Sequence, residues 1–194
     1  YYGCVFTKQD YQNYHLSLKV KWGTQKYVPR LDKLMDSGIL YHSIGDPGAE
    51  YWRTWMLSQE FQIMEGHMGD YWSQATSAID IRSYPPENSI NAIADAGQPF
   101  RAYGHNANNG NFCLRSANHE SPAGEWTTLE LICFNGQSLH IVNGKVVMVL
   151  QNSRYTKDGE VLPLQKGKIQ LQSEAAEVYF KDIKIRPIDH MPAQ

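Results

Sequence analysis

Cysteine is scarce in this 194-residue chain: Cys4, Cys113 and Cys133 are the only three, and they form neither a C-x-x-C pair nor a zinc-ligand spacing. One disulfide with a free thiol and three buried thiols both fit that count, so cysteine does not fix the compartment. Long apolar runs are missing too, and nothing approaches the roughly 18 residues of a membrane-spanning helix. Charge of one sign is not in excess. The formal net charge of −2 argues against nucleic-acid binding through phosphate attraction. There is no G-x-S-x-G nucleophile elbow, no Gly-rich phosphate loop and no H-E-x-x-H metal helix. A convincing helical period is absent as well, and a short helix within residues 87–96 is the only candidate. No signal peptide is visible, and the chain opens at Tyr1-Tyr2-Gly3 without a methionine, as a processed or trimmed segment would.

What remains is strands and turns. His15 to Trp22 alternates apolar and polar residues, and Ser37–His42, Gln59–Glu65 and Ala78–Arg82 read as three more strands. Residues 87–110, rich in Asn, Ala and Gly, read as a long excursion. Beyond it, Trp126–Phe134, Ser138–Val142 and Lys145–Leu150 are separated by Asn135-Gly136 and Asn143-Gly144. Asn-Gly accepts positive φ at both turn positions, so two tight hairpins and a three-stranded meander are expected. Lys168–Gln172 and Val178–Ile185 close the chain. The length suits one domain with a full core, and the pattern predicts an all-β sandwich.

The candidate chemistry centres on Glu60-Phe61-Gln62-Ile63-Met64-Glu65. In an extended strand Glu60, Gln62 and Met64 face one way, and Phe61 and Ile63 the other. Glu65 has the wrong parity to join Glu60 unless a β-bulge intervenes. Two carboxylates facing one sugar ring are the minimum equipment for cleaving a glycosidic bond; ordinary charges on a half-exposed strand are the plainer reading. Trp52, Trp55, Tyr71 and Trp72 flank this strand as rings suited to stacking on a sugar, with at least one of them expected in the core.

Several segments together resemble the 3-keto-disaccharide hydrolase domain family. They are Asp36–His42, Gln59–Gly66, Gly124–Thr127, Val142–Gly144, Gly167–Glu174 and Val178–Ile185, in the family's order over nearly the whole chain. The resemblance implies a concanavalin A-like jelly-roll β-sandwich of two antiparallel sheets, related in fold to family 16 glycoside hydrolases. It implies one domain over residues 1–194 lacking part of the family's N-terminal region, and a periplasmic or extracellular location. The implied partner is a carbohydrate, either an oligosaccharide or an oxidised glycoside.

By likeness to the Glu-x-Asp-x-x-Glu strand of family 16, Glu60 would be the nucleophile and Glu65 the general acid/base, with Gln62 replacing the central Asp. A 3-keto sugar offers a different route. Its ketone acidifies the proton on carbon 2, so one base and a group that holds the enolate suffice for elimination. Glu60 is then the base or a metal ligand, His42 a second base or ligand, and Gln62 a donor to a sugar hydroxyl. Lys168, Gln170 and Gln172 share a polar face and would add donors. Arg30, Lys33 and Asp36 sit in a loop that could fold over the site, although Asp36 before Ser37-Gly38 reads equally as a turn former. A divalent metal would draw on His42, Glu60, Glu65, His67 and Asp70. A carbohydrate-binding module on the same sandwich, and an adhesion domain with a vestigial groove, are the readings to weigh against an enzyme.

Overall fold

Alternating residues become fifteen strands in the computed structural model, which describes residues 2–48 and 54–192. They are β1 (Tyr2–Phe6), β2 (Tyr14–Lys26), β3 (Asp36–Ile44), β4 (Leu57–Met64), β5 (Tyr71–Gln74), β6 (Ser77–Tyr84), β7 (Ile93–Ala94) and β8 (Phe100–Gly104). After these come β9 (Phe112–Cys113), β10 (Thr127–Phe134), β11 (Gln137–Val142), β12 (Lys145–Lys157), β13 (Glu160–Pro163), β14 (Lys168–Glu174) and β15 (Ala176–Pro187). One sheet runs β1-β14-β3-β4-β5-β9. The other runs β15-β2-β10-β11-β12-β6-β7, with β13 added to β12 and β8 to β6. The strand pairings are antiparallel, and the result is the expected β-sandwich.

The meander forms as its turns dictate. Phe134 pairs with Gln137 and Val142 with Lys145, so each Asn-Gly fills a two-residue turn. All four turn residues have positive φ, from 46° at Asn135 to 76° at Gly136, the conformation of a type I′ hairpin. The helix expected within residues 87–96 does not form. That segment holds turns and the short β7, and β8 follows it, so no helix occurs among the described residues, and none that could cross a membrane. Cys4, Cys113 and Cys133 are free thiols.

The sheets pack on Tyr14, Leu16, Leu18 and Val20 of β2, Leu129, Leu131 and Cys133 of β10, and Ile39, Tyr41, Phe61 and Ile63 of β3 and β4. Phe61 stacks on His140 of the opposite sheet, with ring centroids 4.3 Å apart and planes 5° from parallel. Gln59 also points inward and is fully satisfied. Its amide donates to the Ala78 carbonyl and Ser153 Oγ, and its carbonyl accepts the Tyr71 hydroxyl. With Gln59, Phe61 and Ile63 inside, the pleat turns Glu60 and Gln62 onto the outer face of the six-stranded sheet. Phe61→Ala is expected to cost about 3–5 kcal/mol in a denaturant unfolding curve; a cost below about 1 kcal/mol would contradict this packing.

Candidate functional site

Strands β14, β3 and β4 lie side by side, and their register sets polar side chains around a glycine. Gly38 pairs with Gln62 and lies one step beyond the Ile39–Leu171 pair, beside Gln172. Asp36 is two residues away along β3, and Glu60 lies opposite Leu40 on the other side. A Cβ on Gly38 would come 2.3 Å from Gln172 Oε1 and 2.6 Å from Glu60 Oε1, so these two oxygens lie at most 4.9 Å apart. The outcome is a cup with Gly38 as floor and Gln172, Gln62, Asp36 and Glu60 around it.

Each wall has a support. Trp55 Nε1 donates to Gln74 Oε1 at 3.1 Å, and Gln74 Nε2 donates to Glu60 Oε2 at 2.5 Å. That relay holds one oxygen of Glu60 and leaves Oε1 turned to the cup. Arg30 reaches in from the loop before β3 and bridges Asp36 Oδ2 at 2.6 Å and Glu174 Oε2 at 3.2 Å. The Met56 backbone N–H donates to Gln170 Oε1, and the Trp55 ring meets Tyr2 edge-on, so the segment before β4 lies against the sheet's outer face.

Several buried polar atoms here have no protein partner: Asp36 Oδ1, Gln62 Oε1, Gln172 Oε1, Gln172 Nε2 and Arg30 Nε. The residues that rim the cup are nearly inaccessible, with Gln172 2%, Glu60 3%, Gln62 5% and Asp36 6% exposed. A buried polar group without a partner costs about 1–3 kcal/mol, so such a cluster marks a place where another molecule completes the bonds. The charges point the same way. Burial raises the Glu60 carboxyl well above the usual carboxylate range; the Gln74 bond opposes that, and Glu174 and Asp36 add to it. Burial, then the Asp36 charge, push Glu174 up to about 7 against the pull of Arg30. Burial likewise raises Asp36, against Arg30. Arg30 therefore serves two of three clustered carboxyls, and Glu174 stays partly protonated near neutrality.

Residues 2–186 match the 3-keto-alpha-glucoside-1,2-lyase-like domain. The chain belongs to that family. Among curated proteins, none matches it by sequence. Two crystal structures from Parabacteroides distasonis, each described as a "putative glycosyl hydrolase", are similar in fold. The first has a TM-score of 0.57 at 19% identity, covering 95% of this chain and 76% of that one. The second has a TM-score of 0.56 at 18% identity, covering 97% of this chain and 84% of that one. The carbohydrate binding module CBM66 from Bacillus subtilis is also similar, with a TM-score of 0.50 at 9% identity over 94% of this chain and 81% of the module. These likenesses concern the fold.

Within this 3-keto-alpha-glucoside-1,2-lyase-like domain, the residues expected at the site divide into two groups. Glu60, Gln62, Asp36, Gln172 and Arg30 come together at the cup. Gln170 adjoins it but is already engaged, donating to Ser43 Oγ and accepting from the Met56 N–H and the Cys4 thiol. Trp55 reaches the cup through Gln74, and Trp72, opposite Glu60 and 38% exposed, lies on the same outer face beside Phe112. His42 does not join them. A bulge between Tyr41 and Ile44 gives it φ 52° and turns its ring against Tyr14 and Tyr41 in the core, where burial lowers its pKa to about 4. Tyr71 is a core residue as well, since it pairs with inward-facing Phe61.

Glu65 does not share the cup with Glu60. The β3–β4 register runs unbroken from Leu40–Glu60 to Asp36–Met64, so no bulge corrects its parity. It lines a separate cavity of about 240 Å³ with Glu120 and Trp22, and accepts the Met35 N–H. Lys33 is exposed, and Lys168 donates to the Lys8 carbonyl and pairs with Asp10. Trp52 lies outside the described residues. The expected metal donors are dispersed: His67 and Asp70 bind each other, and Asp70 also binds Arg115. Among the described residues no group of three or more His, Cys, Asp or Glu side chains is arranged to hold a metal ion, so those donors do not fit one.

Glu174, Gln74 and Gly38 belong to the site without having been singled out from sequence. Glu174 had a signal, because it continues the period-two face of Lys168, Gln170 and Gln172. Gln74 and Gly38 acquire their roles only through cross-strand register.

A carboxyl raised to about 7 in the folded state ionises earlier in the unfolded chain, so its contribution to stability falls as pH rises from about 4.5 through 7. Glu174→Gln removes that dependence. Between pH 5 and 8 the variant should gain on wild type in urea melts, by at most about 1.4 kcal/mol per pH unit for one proton; a constant difference across that range would contradict the assignment.

Proposed function

We propose that the cup over Gly38 binds a sugar ring and breaks its glycosidic bond, with a 3-keto-glycoside as substrate and elimination as the reaction. The observation that carries this reading is the ring of buried, unpartnered polar atoms beside a desolvated carboxyl, in a chain of this family. Hydrolysis by double displacement has less support. In the family 16 pattern the second carboxyl, about 5–5.5 Å from Glu60 across the bond, would be Glu65, and Glu65 lines a different cavity.

Elimination asks for less. Glu60 Oε1 removes the proton on carbon 2, which the neighbouring ketone has acidified. The electron pair forms the double bond between carbons 1 and 2 as the bond from carbon 1 to the aglycone oxygen breaks. That oxygen takes a proton from Glu174, whose pKa of about 7 leaves it partly protonated at neutral pH. An unsaturated keto sugar and an alcohol leave, and water can add to the double bond afterwards. Negative charge growing on the ketone oxygen is met by the free Gln172 amide N–H and by the Arg30 guanidinium. Burial makes ionised Glu60 a stronger base than an exposed carboxylate, so the rate should rise with pH as Glu60 ionises and fall again as Glu174 loses its proton.

The test is incubation with a 3-keto-glucoside and, in parallel, with the unoxidised glucoside. Wild type should release the alcohol from the keto substrate alone. Glu60→Gln should lower kcat by at least about 100-fold, in the range of general acid–base catalysis. Gly38→Ala should do the same while remaining folded, because its Cβ displaces only the side-chain ends of Gln172 and Glu60. Sugar binding without turnover of either compound would favour a carbohydrate-binding module and sink the enzyme reading.

A further inference from the structure

The cup holds more unpartnered acceptors than donors, and three carboxyls to one guanidinium. Its unpartnered atoms include three acceptor oxygens, Asp36 Oδ1, Gln62 Oε1 and Gln172 Oε1, against the Gln172 amide and Arg30 Nε as donors. Glu60 Oε1 points to the same space above Gly38, at most 4.9 Å from Gln172 Oε1. Asp36, Glu60 and Glu174 together face one cation, Arg30, which already spans two of them. A neutral hydroxyl could use one or two of these acceptors. A group with three donors and a positive charge would use more of them and restore the balance of charge.

We propose that the ligand of this cup carries a primary ammonium, bound by the unpartnered acceptors of Asp36, Gln62 and Gln172 beside Glu60. The inference rests on the sugar-binding reading above and narrows it to an amino-substituted glycoside. Glycine at 38 lets the ends of Gln172 and Glu60 close in over its Cα, because a methyl group there would come 2.3 and 2.6 Å from their oxygens. The ionisable groups around the position are Asp36 from β3, Glu60 from β4, Glu174 from β14 and Arg30 from the preceding loop, while the Cys4 thiol of β1, a strand neighbour of Gln172, donates to Gln170 Oε1. Bringing an ammonium to protonated carboxyls favours their ionised form, so binding releases protons to the buffer. Affinity therefore rises between pH 5.5 and 7.

The experiment is isothermal titration calorimetry at pH 6.5, where the amines are mostly charged, in two buffers of different ionisation enthalpy. The ligands are methyl glucoside, methyl glucosaminide, its N-acetyl derivative and 2-aminoethyl glucoside. One of the two amines should bind at least tenfold more tightly than methyl glucoside, with release of roughly half a proton or more. The methyl glucosaminide arm places the ammonium on the ring, and the aminoethyl arm places it on the aglycone. N-acetylation should abolish the advantage if it is the ring amine. Asp36→Asn, checked for an unchanged circular dichroism spectrum, should shrink the amine preference; Gln172→Met provides a second variant with no added charge if the first is unfolded.

Equal affinity for the neutral and amino glycosides, or binding without proton release, would overturn the inference. So would binding of calcium or magnesium chloride that competes with the amine and is lost in the same variants, since that would assign the cup to a metal ion. Turnover of a neutral 3-keto-glucoside is measured separately. If it persists without amine preference, only this inference falls; if the amine binds and no keto substrate is turned over, only the enzyme reading falls.

Discussion

Side-chain alternation across three adjacent antiparallel strands is the constraint on which the site depends. In β4 the same pleat that buries Phe61 and Ile63 between the sheets drives Glu60 and Gln62 to the outer face. In β3 it places Ile39 inside and Gly38 outside, and β14 adds Ile169 inside with Gln172 outside. Register then sets Gly38 between Gln62 and Gln172. Slipping one strand by a single residue would exchange the cup for the core, so core packing also positions the chemistry.

The outer face differs from an ordinary solvated one because its polar groups are buried. Carboxyls and amides held away from water, with atoms left unpaired, oppose folding, and the sandwich core must offset that cost. The arrangement is not uniformly poor in partners. Gln59 on the inner face of the same strand has its amide and carbonyl bonded, and Gln170, a neighbour of Gln172 on β14, is likewise engaged. Unsatisfied groups gather around Gly38, where Trp55 and Gln74 fix Glu60, and Arg30 fixes Asp36 and Glu174. Rigid walls around unfilled bonding capacity are what a preorganised binding site requires.

Much of this was legible in the sequence. The Asn-Gly turns predicted the meander because few other residue pairs accept two successive positive φ values, and strict alternation in β4 gave Glu60 and Gln62 their face. Other residues were hidden for specific reasons. His42 sits at a bulge that cancels the parity of its strand, and bulges leave no dependable mark in a single sequence. Tyr71 and Trp72 belong to a four-residue strand, too short for a pattern to say which of two neighbouring rings faces inward. Strands β7 to β9 are shorter or less regular than the alternation test needs, which is why a helix looked plausible near residue 90. Gln74 and Gly38 matter through contacts across strands, and local sequence does not carry those.

The central claim is that Glu60 is a desolvated carboxyl waiting for a ligand. Its most direct test is a carbon-13 NMR titration of the side-chain carboxyls in glutamate-labelled protein, with Glu60 assigned through Glu60→Gln. Glu60 should stay protonated well above the ordinary carboxylate range in the free protein, and its titration should move when a glycoside fills the cup. A Glu60 that ionises near the usual value of about 4.3, with a chemical shift indifferent to added glycoside, would contradict the account.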